Sequence, residues 1–406
     1  MKTAPPTLLP AASEIRRVLL VEPFLHVHSF VHYRAAVASE GFEQAQIVIA
    51  TSSVNEKHRA QAQAFATANP RVELRWLKTT VESINGRLHA WRVYRRAMRE
   101  VEAMLRRETF DLVAYVMVDA ALPFLGLPWF RREFSAHRKQ RVSGIVFRDN
   151  GLRPVATSFK TRIIAALDRW ILGHALRNGR VRRFAFFDHI CADRARTRFG
   201  SEHVGDGVDP IEIHAADPQE ARRKFGIAPD DFMLLLFGAM SDRKGVAESL
   251  AHISAAGLPR ERTVVVLAGP VAAEYRATYD AAVAEIAKHH RVLQHDYFVA
   301  EEDIPRYFAA SDVVLCVYKN FNGSSGVLLH AASFGKPVMV SPGGVMADAV
   351  ERHRFGEIVS LNDPASFSSA LKRLATLDAP AREALRERAL DYARLNDSRR
   401  YLSQFV

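Results

Sequence analysis

The chain has 406 residues, 48% hydrophobic and 25% charged, with a formal net charge of +11 at pH 7. That is room for two ordinary domains with separate cores, and it excludes fibrous, low-complexity and disulfide-stapled classes. The charge excess sits in one half: residues 1–212 hold 33 Lys and Arg against 21 Asp and Glu, whereas 213–406 hold 23 against 24. Such asymmetry suits a polyanion, either nucleic acid or an anionic membrane, although many basic surfaces are merely solvated. Cys191 and Cys316 are the only cysteines, which suits a reducing cytoplasm. No apolar run approaches the roughly 18 residues that span a bilayer.

The opening MKTAPPTLLPAASE reads as a disordered leader, because Pro5, Pro6 and Pro10 interrupt the apolar stretch a signal peptide needs. Strands are then predicted at 18–21, 45–50, 112–116, 143–147 and 183–187, and again at 232–237, 263–267, 292–294, 313–317 and 338–340. Helices fill the gaps, among them 28–39, 84–107, 159–176, 244–256, 272–289, 327–334 and 366–375. This alternation predicts parallel α/β architecture, organised as two Rossmann-like doubly wound domains facing a cleft. The polar segment 203–218, with Gly205, Gly207 and Pro210, reads as the linker. The expected division is 1–212, 213–380, and C-terminal helices over 381–406 that can cross back to the first domain.

Open α/β sheets bind ligands beyond the carboxyl ends of their strands, which directs attention to three loops of the second half. In the first, Gly238 permits a tight turn and Arg243-Lys244 stand at the mouth of a helix, where cations would neutralise a diphosphate. Taken alone, this is an ordinary basic helix start. In the second, Tyr297 and Phe298 follow a strand and can pack on a nucleobase, although core packing of one of them is the blander expectation. In the third, Ser324-Ser325-Gly326 opens an apolar helix, so successive backbone N–H groups and the helix dipole would favour a phosphate.

The order of pieces resembles the C-terminal domain of retaining glycosyltransferases of family four, which have the GT-B fold. The resemblance covers roughly 205–380. It rests on Gly238 with Lys244-Gly245, Leu267-Ala268-Gly269, Ala310-Ser311-Asp312-Val313, Gly335-Lys336-Pro337-Val338, Gly343-Gly344, Phe355-Gly356 and Asn362-Asp363-Pro364. Two departures matter. The family's Glu-x7-Glu pair falls on Asn322 and His330, and its arginine after the first glycine falls on Ala239. The resemblance then implies that Asn322 lies near the donor sugar, that His330 meets the nucleotide ribose, and that Lys244, with Arg243, clamps the diphosphate.

The first half matches the family only in broad pattern. His26, His28 and His32 follow the first strand, where the resemblance implies an acceptor-side loop; His28 and His32 also have the spacing of a metal pair, but no third ligand accompanies them. Asp119 and Arg148-Asp149-Asn150 follow two other strands. Asp149 can accept the acceptor's proton, or simply pair with Arg148. Arginines cluster with Trp91, Tyr94 and Met98 in one helix, and with Phe159, Ile163, Ile164, Trp170, Ile171 and Leu172 in another. Either helix can pack its apolar face on the sheet, or lie on an anionic bilayer. No nucleic-acid-binding signature accompanies the charge.

The sequence therefore predicts a cytoplasmic glycosyltransferase, peripheral at the inner membrane face, using a nucleotide-diphosphate sugar and no further cofactor or metal. The acceptor would be a hydroxyl on a glycan or lipid-linked carrier in surface polysaccharide or glycolipid assembly. The resemblance implies retention of configuration. The alternatives are a non-catalytic sugar-nucleotide-binding module and a nucleotide-sugar epimerase.

Overall fold

The computed structural model describes residues 12–25, 29–80, 86–147, 151–153, 159–213 and 216–406. The chain divides into two compact units, Met1–Pro210 with Ser398–Val406, and Ile211–Asp397. The segment 398–406 thus belongs with the first unit, while the long helix before it stays with the second.

The first unit alternates β1 (Arg17–Glu22), α1 (Ser29–Ala38), β2 (Gln46–Thr51), α2 (Glu56–Ala68), β3 (Val72–Trp76), α3 (Gly86–Arg107) and β4 (Leu112–Tyr115). It continues with α4 (Leu122–Gly126), β5 (Val142–Val146), α5 (Phe159–Arg177), β6 (Arg183–Phe186), α6 (His189–Phe199) and β7 (Val204–Asp206). Its strands are all parallel, in the order β3-β2-β1-β4-β5-β6-β7. The central strands are apolar on both faces, as burial under two helical layers requires.

The second unit contains α7 (Pro218–Phe225), β8 (Phe232–Phe237), α8 (Val246–Ala255), β9 (Thr263–Ala268), α9 (Arg276–Ile286), β10 (Arg291–His295) and α10 (Ile304–Ala310). Then follow β11 (Val313–Cys316), α11 (Gly326–Ser333), β12 (Val338–Val340), α12 (Gly344–His353), β13 (Gly356–Ile358), α13 (Pro364–Ala375) and α14 (Ala379–Leu395). The sheet order is β10-β9-β8-β11-β12-β13, again all parallel. Aspartates set several helix starts: Asp188, Asp217, Asp363 and Asp378 accept from amides of α6, α7, α13 and α14 respectively. Pro218 and Pro364 occupy the first helical position, where no N–H is needed.

Two expectations change. Part of the predicted linker is ordered: Val204–Asp206 pairs with β6 as an edge strand, and α7 begins at Pro218. The two arginine-rich helices also part company. In α3, Met98 is buried, Trp91 lies on Phe124 and Phe130, and Arg95 and Arg99 share Glu133, so its apolar side is core. The first three turns of α5 face outward instead.

Candidate functional site

The order of the second sheet reverses between β8 and β11, so chain leaves these neighbouring strands toward opposite faces. A crevice at their carboxyl ends is the usual ligand position of such a sheet. Gly238 closes β8 with φ of 88°, and a Cβ on Gly269 would stand 2.4 Å from the Gly238 carbonyl oxygen. Only glycine at both places lets the ends of β8 and β9 approach this closely.

Asp242–Lys244 then form one tight turn, ended by Gly245 in the left-handed region. Lys244 is buried; its Nζ donates to the Phe237 carbonyl oxygen and lies 5.1 Å from the centre of the Tyr318 ring. Burial pushes its pKa from 10.5 down to about 8; Cys316 opposes that shift and Arg243 adds to it. Arg243 is exposed, and its guanidinium stands 5.0 Å from the Phe321 ring and 5.6 Å from that of Tyr318. The two cations therefore share one aromatic platform just past β11. Lys319 ties the two loops across the reversal point. Its amide donates to the Arg243 carbonyl at 2.7 Å, and its ammonium meets Asp242 at 2.6 Å and Glu248 at 2.5 Å.

The same platform reaches the start of α11. The Tyr318 hydroxyl lies 3.3 Å from Ser325 Oγ, and Ser325, the residue preceding the helix, makes no side-chain capping bond to it. The apolar face of α11 is anchored by Leu328, Leu329, Ala331 and Ala332 in the core, which fixes where its first amides point. Ser324 and Gly326 flank Ser325 in this turn. Asn322 is exposed; its carbonyl accepts from Val345 at 3.1 Å, and a Cβ on Gly344 would lie 2.6 Å from its Cα. The start of α12 is thus adjacent to Asn322.

Tyr297 and His330 belong to one chain of rings. Tyr297 lies 3.2 Å from the Tyr307 hydroxyl, which is 2.7 Å from His295 Nδ1. Tyr307 contacts Phe237, Phe237 contacts Phe308, and His330 stacks on Phe308 at 5.2 Å. Neither Tyr297 nor Phe298 is packed in the core, contrary to the blander expectation; Phe298 is 81% exposed. Sequence reasoning passed over Tyr318 and Lys319. Their signal was position alone, immediately after β11.

In the first unit the corresponding reversal lies between β1 and β4. Asp119 accepts a bond from the Phe147 amide at 2.9 Å, so it joins the loops after β4 and β5. His28, Arg148 and Asp149 lie outside the described residues. Glu22, which the sequence reading also passed over, ends β1 buried; burial pushes its pKa up to about 8 against the bonds from Ser29 and Tyr33. Among the described residues no group of three His, Cys, Asp or Glu is placed to hold a metal ion.

Residues 217–392 match the sequence profile of glycosyl transferases group 1. A D-inositol 3-phosphate glycosyltransferase of Stackebrandtia nassauensis is 33% identical over 198 residues, 46% of this chain and 43% of the relative. D-inositol 3-phosphate glycosyltransferase 2 of Catenulispora acidiphila is 29% identical over 208 residues, 47% and 45% of the two chains. The chain thus spans under half the length of these curated relatives. Among solved structures, sucrose-phosphate synthase of Thermosynechococcus elongatus superimposes with a TM-score of 0.64 at 14% identity, covering 93% of this chain and 94% of the other. Anabaena Alr3699/HepE, solved in complex with UDP and glucose, gives 0.61 at 14% identity, covering 96% and 98%. The fold is therefore GT-B, with two Rossmann-like domains.

Proposed function

We propose, from the match of residues 217–392 to the glycosyl transferases group 1 profile, that the chain moves a sugar from a nucleoside diphosphate to a hydroxyl acceptor. The observation that carries this reading is the platform of Tyr318 and Phe321, which gathers Lys244, Arg243 and Ser325 beside the start of α11. A diphosphate there would accept from the amides at Ser324, Ser325 and Gly326 and from the Lys244 ammonium, with Arg243 closing the exposed side. Charge that develops on the leaving diphosphate as the glycosidic bond breaks is then met by donors already in place, so little reorganisation opposes the step. Gly238 leaves room for the Lys244 ammonium, since a Cβ there would come within 2.9 Å of Nζ. Tyr297, Phe298 and His330 would bound the nucleoside, and Asn322 the sugar. No cofactor beyond the donor is called for.

The solved neighbour holding UDP and glucose favours a UDP-sugar donor. The names of the curated relatives and the basic first half favour an anionic acceptor, either a phosphorylated polyol or a phosphate-linked carrier at the inner membrane face. Asp119, with His28, Arg148 and Asp149, is assigned to the acceptor side, and Asp149 to removal of the acceptor's proton. The resemblance to family four supports retention of configuration.

A second reading has its own support. Asn322 and His330 replace a pair of glutamates, and His330 stacks on core Phe308, which suits a module that binds sugar nucleotides without turning them over. The discriminating experiment incubates the protein with UDP-, GDP-, ADP- and dTDP-sugars, with and without phosphorylated polyols and lipid-linked acceptors, and follows nucleoside diphosphate release and product. Acceptor-dependent release supports transfer. Epimerised sugar without acceptor, or binding with no turnover of any donor, contradicts it.

A further inference from the structure

The outward face of α5 is unlike any other helix face among the described residues. Phe159, Ile163, Ile164, Leu167 and Trp170 are between 40% and 79% exposed, and Phe159, Ile163, Leu167 and Trp170 recur at helical spacing. The helix is not loosely attached. From Ile171 to Leu176 it is buried apart from His174, and a Cβ on Gly126 of α4 would lie 2.5 Å from Ile171. The first three turns are therefore a rigid apolar ridge held out from the first unit. Leaving such side chains in water forgoes the burial that ordinarily fixes an amphipathic helix, so a stripe of this size marks a contact surface.

Charge identifies what covers it. Over Phe159–Arg177 the sequence has Lys160, Arg162, Arg169 and Arg177 against Asp168 alone. Arg162 and Arg177 make no ion pair with a described residue, whereas Arg95 and Arg99 of α3 are both held by Glu133. His174 stacks on Trp170 at 5.2 Å, and its pKa is lowered by burial and then by Arg177, Arg180 and Arg131, which shows how densely positive the end of the ridge is. A second copy of the chain would bring like charges together, and an uncharged protein surface would leave the arginines unmatched. Aromatic and branched apolar residues rimmed by arginine match the boundary between acyl chains and anionic headgroups.

We propose that α5 docks the protein on an anionic phospholipid surface, with Phe159, Ile163, Leu167 and Trp170 entering the headgroup boundary and Arg162 and Arg177 on lipid phosphates. No helix among the described residues is long and apolar enough to cross a membrane. The inference stands apart from the proposed reaction, because it uses none of the donor-side residues.

The test is co-sedimentation of the full chain with vesicles of phosphatidylcholine alone and of an equal mixture with phosphatidylglycerol. Binding is expected only to the mixture, weakening as salt is raised. The triple variant Phe159→Ser, Ile163→Ser, Leu167→Ser should lose at least about tenfold in partitioning while keeping its melting temperature and donor binding. Should the triple variant fold poorly, Arg162→Glu with Arg177→Glu alters only exposed charge and should give the same loss. Absence of binding to the mixed vesicles, or binding that neither variant weakens, overturns the proposal. So does a concentration-dependent dimer that the triple variant dissolves, which would make the ridge a contact between copies.

Discussion

At the scale of single residues, two buried ionisable groups give opposite signatures. Lys244 has a lowered pKa, so between about 8 and 10.5 the unfolded chain binds a proton that the folded chain does not. Stability from this group therefore rises with pH across that window, and below it the buried ammonium costs a few kcal/mol. Lys244→Met should raise the melting temperature at pH 7, yet weaken nucleoside diphosphate binding. A variant that is less stable at pH 7 would refute the assigned burial cost. Glu22 has a raised pKa, so the folded chain holds the extra proton between 4.5 and about 8. That stabilising contribution is present below pH 4.5 and lost as pH climbs through 8. Glu22→Gln should leave the unfolding free energy nearly unchanged at pH 5 and raise it at pH 9, by about the same few kcal/mol. Equal shifts at both pH values would count against this account.

At the scale of elements, close approaches at glycine position the loops after β8 and β9. Gly269 has φ of 138° and no room for a Cβ beside Gly238, so Gly269→Ala should cost about 2–4 kcal/mol and move the loop that bears Lys244. Urea unfolding and donor titration of this variant would check both effects; unchanged values in both would remove the loop from the account. The same scale shows what was legible in sequence. The buried central strands β1, β4, β8, β9 and β11 are continuous apolar runs, and all were found from the pattern. The strands passed over were β3, β7 and β13, each at a sheet edge, where half-exposed residues such as Glu73, Arg75, Asp206 and Glu357 interrupt the signal. On the site, glycine and lysine spacing located the loops after β8 and β11. It was silent on Tyr318, because an aromatic after a strand looks the same whether it fills the core or carries two cations. Nor did periodicity separate α3 from α5: both are amphipathic, and only packing decides which apolar face is covered.

At the scale of the whole molecule, the last residues of the chain complete the first unit. Tyr401, Leu402 and Phe405 are buried in its core; Ser143 Oγ donates to the Phe405 carbonyl at 2.7 Å, and Gln404 accepts from the Val208 amide at 2.9 Å. Ending the chain at Asp397 should cost the first unit about 5 kcal/mol and make it the first to yield to protease. Digestion that starts in the second unit instead would contradict this. The uneven charge belongs to the same scale, since the basic half carries the exposed ridge and the near-neutral half the turn at Ser324–Gly326.

The most direct measurement is calorimetric titration of UDP, and of a UDP-sugar, into the full chain and into Lys244→Ala. Binding to the unaltered chain that weakens as pH rises past about 8, with a loss of about ten- to a hundredfold in Lys244→Ala, is the expected result. Equal affinity in the two proteins, or no pH dependence near 8, would contradict the claim that the diphosphate settles between Lys244 and the start of α11.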